Sequence, residues 1–186
     1  KTGLEETRNW IDKKLSAVGI PHEFQKVENG NALISASVSG EDGDKHPSLL
    51  FYNHYDVVEE GKHELWSNEP FGPVIRDGVL YGRGVSDNKG PLLSRIQAVE
   101  AILAVEGKLP INVKFLFEGD EETSSPSLSR FSREQSEKFK ELSKADVCLW
   151  ENGRRDEEGR PWARFGVRGS VSFELSVETA KKDVHA

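Results

Sequence analysis

The chain contains no methionine and a single cysteine, Cys148. One cysteine excludes an internal disulfide, so the fold must rest on its core, and a reducing, cytoplasmic setting is expected. Long apolar runs are missing as well. No stretch approaches the roughly 20 residues that cross a bilayer, so no membrane partner is expected. Positive charge is in deficit: 25 Lys and Arg stand against 32 Asp and Glu, for a net charge of −7. That argues against nucleic acid, which needs clustered cations. Internal repeats and low-complexity tracts are absent. Lys1 rather than Met opens the sequence and no secretory signal is visible, which leaves room for a segment upstream.

What remains is a chain of 186 residues, 35% hydrophobic and 31% charged, with 9 Phe and 4 Trp. That is polar, yet long enough for one domain with a real core. Apolar spacing predicts a helix over 4–18, carried by Leu4, Trp10, Ile11, Leu15 and Val18 and stopped by Gly19. "HEFQKVE" and "NALISASV" predict two strands around "NGN". "SLLFYNHYDVV" opens as a strand buried on both faces, and Asp77-Gly78 predicts a hairpin. "NKGPLLSRIQAVEAILAVEG" predicts a helix with Leu92, Leu93, Ile96, Val99, Ile102 and Leu103 as its apolar stripe and Gly107 as its stop. "INVKFLF" is a further buried strand. Ser125-Pro126 reads as a helix opening, with polar helical sequence to about Leu142. "ADVCLW" reads as a third buried strand, and "RFGVRGSVSFELSVET" as a last β segment. Buried strands alternating with helices indicate an α/β fold with a largely parallel sheet.

Ligands of such sheets bind beyond the carboxyl ends of the strands. There "LLFYN" delivers His54 and Asp56, "INVKFLF" delivers the acidic run "EGDEE", and "ADVCLW" delivers Glu151. Asp87 lies in "GRGVSDNKG", ahead of the long helix. One imidazole and several carboxylates suit zinc or a similar divalent metal. In "HYD", residues two apart point the same way, so Asp56 could orient the His54 ring. A merely solvated acidic loop is the ordinary alternative, and each signal alone is weak; their coincidence at one sheet edge favours metal. His22, His46 and His63 read as exposed, Cys148 as core, and Glu118 and Asp120 as solvated or supporting. Lys89 lacks the Gly-Lys-Ser/Thr ending of a phosphate loop. Arg168 is left without a role.

"NHYDVV", "DGVLYGRGVSDNKGP", "FLFEGDEETSSPSL", "ADVCLWENG" and "GVRGSVSFELSVETAKKDVHA" stand in the order and approximate spacing of a known family. From about residue 48 onward the chain resembles the co-catalytic di-zinc exopeptidases and deacylases. These include carnosinase-type dipeptidases, aminoacylase, glutamate carboxypeptidase, acetylornithine deacetylase and succinyl-diaminopimelate desuccinylase. The "FEG-x-EE" form and "LWSNEPFGPVIRDG" look most like the dipeptidase branch. The resemblance implies a zinc-exopeptidase-like three-layer sandwich, with residues 1–180 forming the N-terminal part of the catalytic domain. Residues 181–186 would start the linker into a lid or dimerisation domain that this chain does not include. It implies two divalent ions, zinc by preference and manganese or cobalt as alternatives. His54 would bind the first metal with Glu151, Asp87 would bridge, Glu122 would bind the second, and Asp56 would orient His54. Glu121 would be the general acid/base acting on a water shared by the metals. His185 would contact substrate.

The implied activity is hydrolysis of dipeptides or short peptides in a homodimer. N-acyl amino acid deacylation and a metal-binding fragment without turnover are the alternatives. Two departures stand out. The family's downstream histidine ligand is not in this chain, and Asn88 and Ala186 occupy positions where many members have Asp and Ser.

Overall fold

The computed structural model describes residues 2–41, 43–153, 155–166, 169, 171 and 173–177. Residues up to Asn152 form one compact unit, and those from Gly153 another.

The first unit is built on a five-stranded sheet in the order β1-β2-β6-β3-β7. Its strands are β1 (His22–Gln25), β2 (Leu33–Val38), β3 (Ser48–His54), β6 (Asn112–Glu118) and β7 (Val147–Trp150). β4 (Val74–Arg76) and β5 (Val79–Tyr81) form a separate hairpin. β6, β3 and β7 are mutually parallel, while β2 runs antiparallel to both β1 and β6. Only β2 is therefore reversed. Helices α1 (Thr2–Val18) and α2 (Gly90–Glu106) precede β1 and β6, and α3 (Pro126–Glu134) and α4 (Ser136–Ser143) precede β7.

Alternate residues of the central strands feed two cores, because neighbouring side chains in a strand face opposite ways. Ile34, Ala36, Phe51, Val113, Phe115 and Phe117 pack with Ile11 and Leu15 of α1 and Leu92, Ile96 and Val99 of α2. Leu33, Leu50 and Leu116 pack on the other face with Phe131 of α3, Phe139 and Leu142. This is a helix–sheet–helix sandwich. The Phe51 and Phe115 rings stack at 5.4 Å across the β3–β6 ladder.

Both main helices form where the periodicity puts them, and Gly107 ends α2 at φ 71°, a conformation that glycine adopts without penalty. Their apolar stripes are narrower than the pattern suggested. Trp10 and Ile102 are 46% and 39% exposed, because each sits at the rim of the helix face that meets the sheet. The hairpin forms on Asp77 and Gly78, both with positive φ, as a tight two-residue turn requires.

Several expectations are corrected. "ADVCLW" does not form a buried strand: among the described residues β7 is the outermost strand of the sheet, paired with β3 alone, and all four of its residues are exposed. Cys148 is accordingly exposed rather than core. Ser125 adopts a left-handed φ of 52° and makes no side-chain cap on α3, and the polar helical stretch breaks at Gln135 into α3 and α4. His22 is not free in solvent. Its ring nitrogens lie 2.9 Å from the Ile20 carbonyl and 3.0 Å from Asp12 Oδ1, and His46 is half-buried.

In the second unit, an isolated bridge joins Arg155 to Pro161, and Arg160 pairs with Asp156 at 2.6 Å. The described residues between 164 and 177 carry no strand and have no ladder partner; Phe165 and Phe173 are 99% and 87% exposed. The expected β segment is absent there. Arg168, His185 and the expected linker 181–186 lie outside the described residues.

Candidate metal centre

Parallel register brings the carboxyl ends of three strands side by side. His54 aligns with Glu118 across β3 and β6, and Tyr52 aligns with Trp150 across β3 and β7. The segments leaving these strands therefore meet at one edge. β3 carries His54 and runs on to Asp56, β6 runs into the turn holding Glu121 and Glu122, and β7 ends before Glu151. The Glu151 N–H donates to the Tyr52 carbonyl at 2.8 Å. Asp87 arrives from a wide turn, Val85–Lys89, that opens into α2; its backbone is extended and the Asp87–Asn88 peptide is cis.

His54 is fully buried. Its Nδ1 lies 3.2 Å from Asp56 Oδ1, and its Nε2 lies 2.9 Å from Asp87 Oδ1 and 3.8 Å from Glu121 Oε2. The Glu122 N–H donates to Asp56 Oδ2 at 3.0 Å. Asp56 thus ties the imidazole to the acidic turn. Atoms of His54, Glu121 and Glu122 lie within 4.8 Å of one another, as do atoms of His54, Asp87 and Glu151. The structure thus brings His54, Asp56, Asp87, Glu121, Glu122 and Glu151 to one place.

Electrostatics there are frustrated. Burial pushes the Glu121 carboxyl up, and the charges of Glu151 and Glu122 add to it. Glu122 is raised by burial and then by Asp87. Burial alone would lower His54, but the hydrogen bond and charge of Asp56, the Asp87 hydrogen bond and Glu121 outweigh it and raise the ring to about 9. Asp56 is opposed by its own burial, yet the bonds from His54 and the Glu122 N–H hold it below the usual carboxylate range. Among the described residues, no lysine or arginine forms an ion pair with Asp87, Glu121, Glu122 or Glu151. An imidazole nitrogen facing carboxylates to which no lysine or arginine is paired is a donor set suited to a divalent metal.

Several supporting residues escaped the sequence reading. Asn53 is fully buried; its Nδ2 bonds Asn88 Oδ1 and reaches the Glu151 carbonyl at 3.3 Å. Arg95 of α2 donates to Asn53 Oδ1 at 2.6 Å and to the Tyr52 carbonyl at 2.9 Å. Asn88 Oδ1 also accepts the His54 N–H at 3.4 Å. The available signals were a polar Asn inside a buried run and an arginine on an apolar helix. Glu118 and Asp120, expected to be solvated or supporting, are 0% and 8% exposed. Glu118 Oε1 accepts from the Tyr52 hydroxyl and from Ser125 Oγ at 2.9 Å. Asp120 Oδ2 accepts from the Ser127 hydroxyl and, at 3.3 Å, its N–H. Lys89 Nζ donates to Thr7 Oγ1 of α1 at 3.0 Å.

Known proteins are similar to this chain in sequence and in fold. The profile of peptidase family M20/M25/M40 matches residues 50–177. Beta-Ala-His dipeptidase of Rattus norvegicus is 36% identical over 142 residues, covering 76% of this chain and 28% of that protein. Probable di- and tripeptidase DUG2 of Saccharomyces cerevisiae is 36% identical over 171 residues, covering 88% of this chain and 19% of that protein. The crystal structure of Sso-CP2, an M20 family metallo-carboxypeptidase from Sulfolobus solfataricus, superposes with a TM-score of 0.72 at 32% identity. That match covers 85% of this chain and 34% of the other. The chain spans well under half the length of these relatives. With the family match running across most of the sequence and through every strand-end segment of the centre, the chain belongs to peptidase family M20/M25/M40.

Proposed function

We propose that the protein carrying this chain is a metal-dependent hydrolase of amide bonds in dipeptides or short peptides. One observation carries the reading. The buried His54 faces carboxylates from three other segments, and among the described residues no lysine or arginine pairs with them. The dipeptidase names of the relatives favour peptides over N-acyl amino acids as substrate.

His54, Asp87 and Glu151 would hold one divalent ion, and Glu122 with Asp87 a second; zinc suits the donors best. Bound ions supply Lewis acidity, lowering the pKa of a water from about 15.7 toward about 7 and polarising the scissile carbonyl. The chain's own residues do the rest. Asp56 holds the His54 ring through Nδ1, so that Nε2 faces the carboxylates. Glu121, with its proton affinity raised by burial, takes a proton from the attacking water and returns it to the leaving amine. His185 is proposed as a substrate contact, and a homodimer in the cytoplasm as the working form. Residues 1–180 are proposed as the N-terminal part of the catalytic domain, with 181–186 leading into a lid or dimerisation domain.

The test is dipeptide hydrolysis by the full-length protein before and after dialysis against a chelator. Activity lost on dialysis and regained with Zn²⁺ or Mn²⁺ supports the proposal. Undiminished activity in the metal-free protein rejects it. A panel including N-acyl amino acids separates the two substrate classes.

A further inference from the structure

The turn that presents Glu121 and Glu122 is held from behind by a carboxyl group that the proposed chemistry does not use. Glu118 ends β6 and is fully buried. Its Oε1 joins two separate elements, accepting from Tyr52 of β3 and from Ser125 Oγ ahead of α3. Ser125 and its neighbour Ser124 have φ of 52° and 71°, left-handed values that non-glycine residues rarely adopt. The Ser125 hydroxyl is spent on Glu118 instead of capping α3. The main chain of the turn closes on the Asp120 carbonyl, which accepts from Thr123 N at 3.2 Å, Thr123 Oγ1 at 3.0 Å and Ser125 N at 3.0 Å. Glu118 thus anchors the far end of a loop whose near end is Asp120.

The second oxygens of the two carboxyl groups add to this. Glu118 Oε2 and Asp120 Oδ1 are both buried, and neither finds a donor among the described residues. These residues flank Gly119, where even a Cβ would press into the Tyr55 ring.

We propose that Glu118 is a positioning residue for the acidic turn. Its Oε1 gathers Tyr52 and Ser125, and the turn so held aims Glu121 and Glu122 at His54. This rests on the reading of Glu122 as a metal ligand. Glutamine keeps this acceptor, since its amide oxygen accepts from Tyr52 and Ser125. Alanine does not.

Co²⁺ titration of the intact protein, read by visible absorption, tests this with Glu118→Gln, Glu118→Ala and the double variant Tyr52→Phe/Ser125→Ala. Glu118→Gln should keep Co²⁺ affinity within about threefold and leave the absorption band in place. Glu118→Ala should weaken Co²⁺ by about 10–100-fold and shift the band, as loss of an outer support does at metal sites. If Glu118→Ala does not fold, the double variant, which removes only two hydroxyls, should show the same change while melting as a folded protein. Wild-type affinity and band in a folded alanine or double variant overturn the proposal, as does a Glu118→Gln variant as weak as alanine. A wild-type protein that takes up no Co²⁺ overturns the metal reading itself, and this inference with it.

Discussion

Replacing Asp56 by asparagine removes no heavy atom, yet it should damage the centre. Asp56 sits between two donors: the His54 Nδ1 lies 3.2 Å from Oδ1, and the Glu122 N–H lies 3.0 Å from Oδ2. A carboxylate accepts both. An amide has one acceptor and one donor, so in either orientation its NH₂ meets one of those donors head on. The side chain is 8% exposed, so water cannot repair the mismatch. Hydrogen bonds to a charged group contribute about 1.5–3 kcal/mol, and an orphaned buried donor costs about 1–3 kcal/mol. The expected loss is about 3 kcal/mol, which lowers the melting temperature of a domain this size by about 6–12 °C. Metal affinity should fall about 10–100-fold, because the imidazole is no longer held. Thermal melts in chelator and calorimetric titration with Zn²⁺ measure the two effects separately. If Asp56→Asn binds Zn²⁺ within threefold of wild type and melts at the wild-type temperature, Asp56 does not couple the ring to the acidic turn.

Glu121→Gln should lower kcat of the full-length protein by about 10²–10⁴-fold with metal content unchanged, if Glu121 moves the proton; loss of metal alongside activity would make it a ligand instead. Gly119→Ala forces a Cβ against Tyr55 Cζ, part of a buried ring whose hydroxyl is fixed to the Ala32 carbonyl at 2.6 Å. Destabilisation of about 1–3 kcal/mol is expected by chemical denaturation, and a wild-type midpoint would refute the contact. Asp146 joins the starts of β3 and β7, accepting from Ser48 N at 2.7 Å and Ser48 Oγ at 2.8 Å, bonds that hold its carboxyl below its ordinary value. Such a group stabilises the fold above its unfolded pKa and loses that effect as pH falls through the folded one. Asp146→Ala should therefore melt lower than wild type at neutral pH, and the gap should close below the ordinary carboxylate range. A gap that is the same on both sides of that range would show that the ionised carboxylate is not what matters.

His54, Glu151 and the acidic run that holds Glu121 and Glu122 could be picked out in the chain because polar residues directly after apolar strands are a local pattern, and Asp87 stood out in its glycine-rich turn; the resemblance alone distinguished Glu121 from Glu122. So too could α1, α2 and the Asp77-Gly78 turn be read, which depend on spacing and backbone preference within a few residues. Cys148 and β7 could not be read the same way. An apolar run looks identical whether its strand ends up central or at an edge, and only the pairing order places β7 outermost. The Asn53–Asn88–Arg95 network and the burial of Glu118 were hidden for a related reason. Their partners come from β3, the turn before α2, α2 itself and the loop before α3, and no spacing along one segment encodes such meetings. The sequence by itself determined which side chains could bear chemistry and where the main helices and the central strands would form. Tertiary structure alone decided which strands would be neighbours, and hence that an imidazole and carboxylates far apart in the chain stand within a few ångströms. Hydrophobic pattern sets the faces an element buries, but it is parallel register that brings strand ends together.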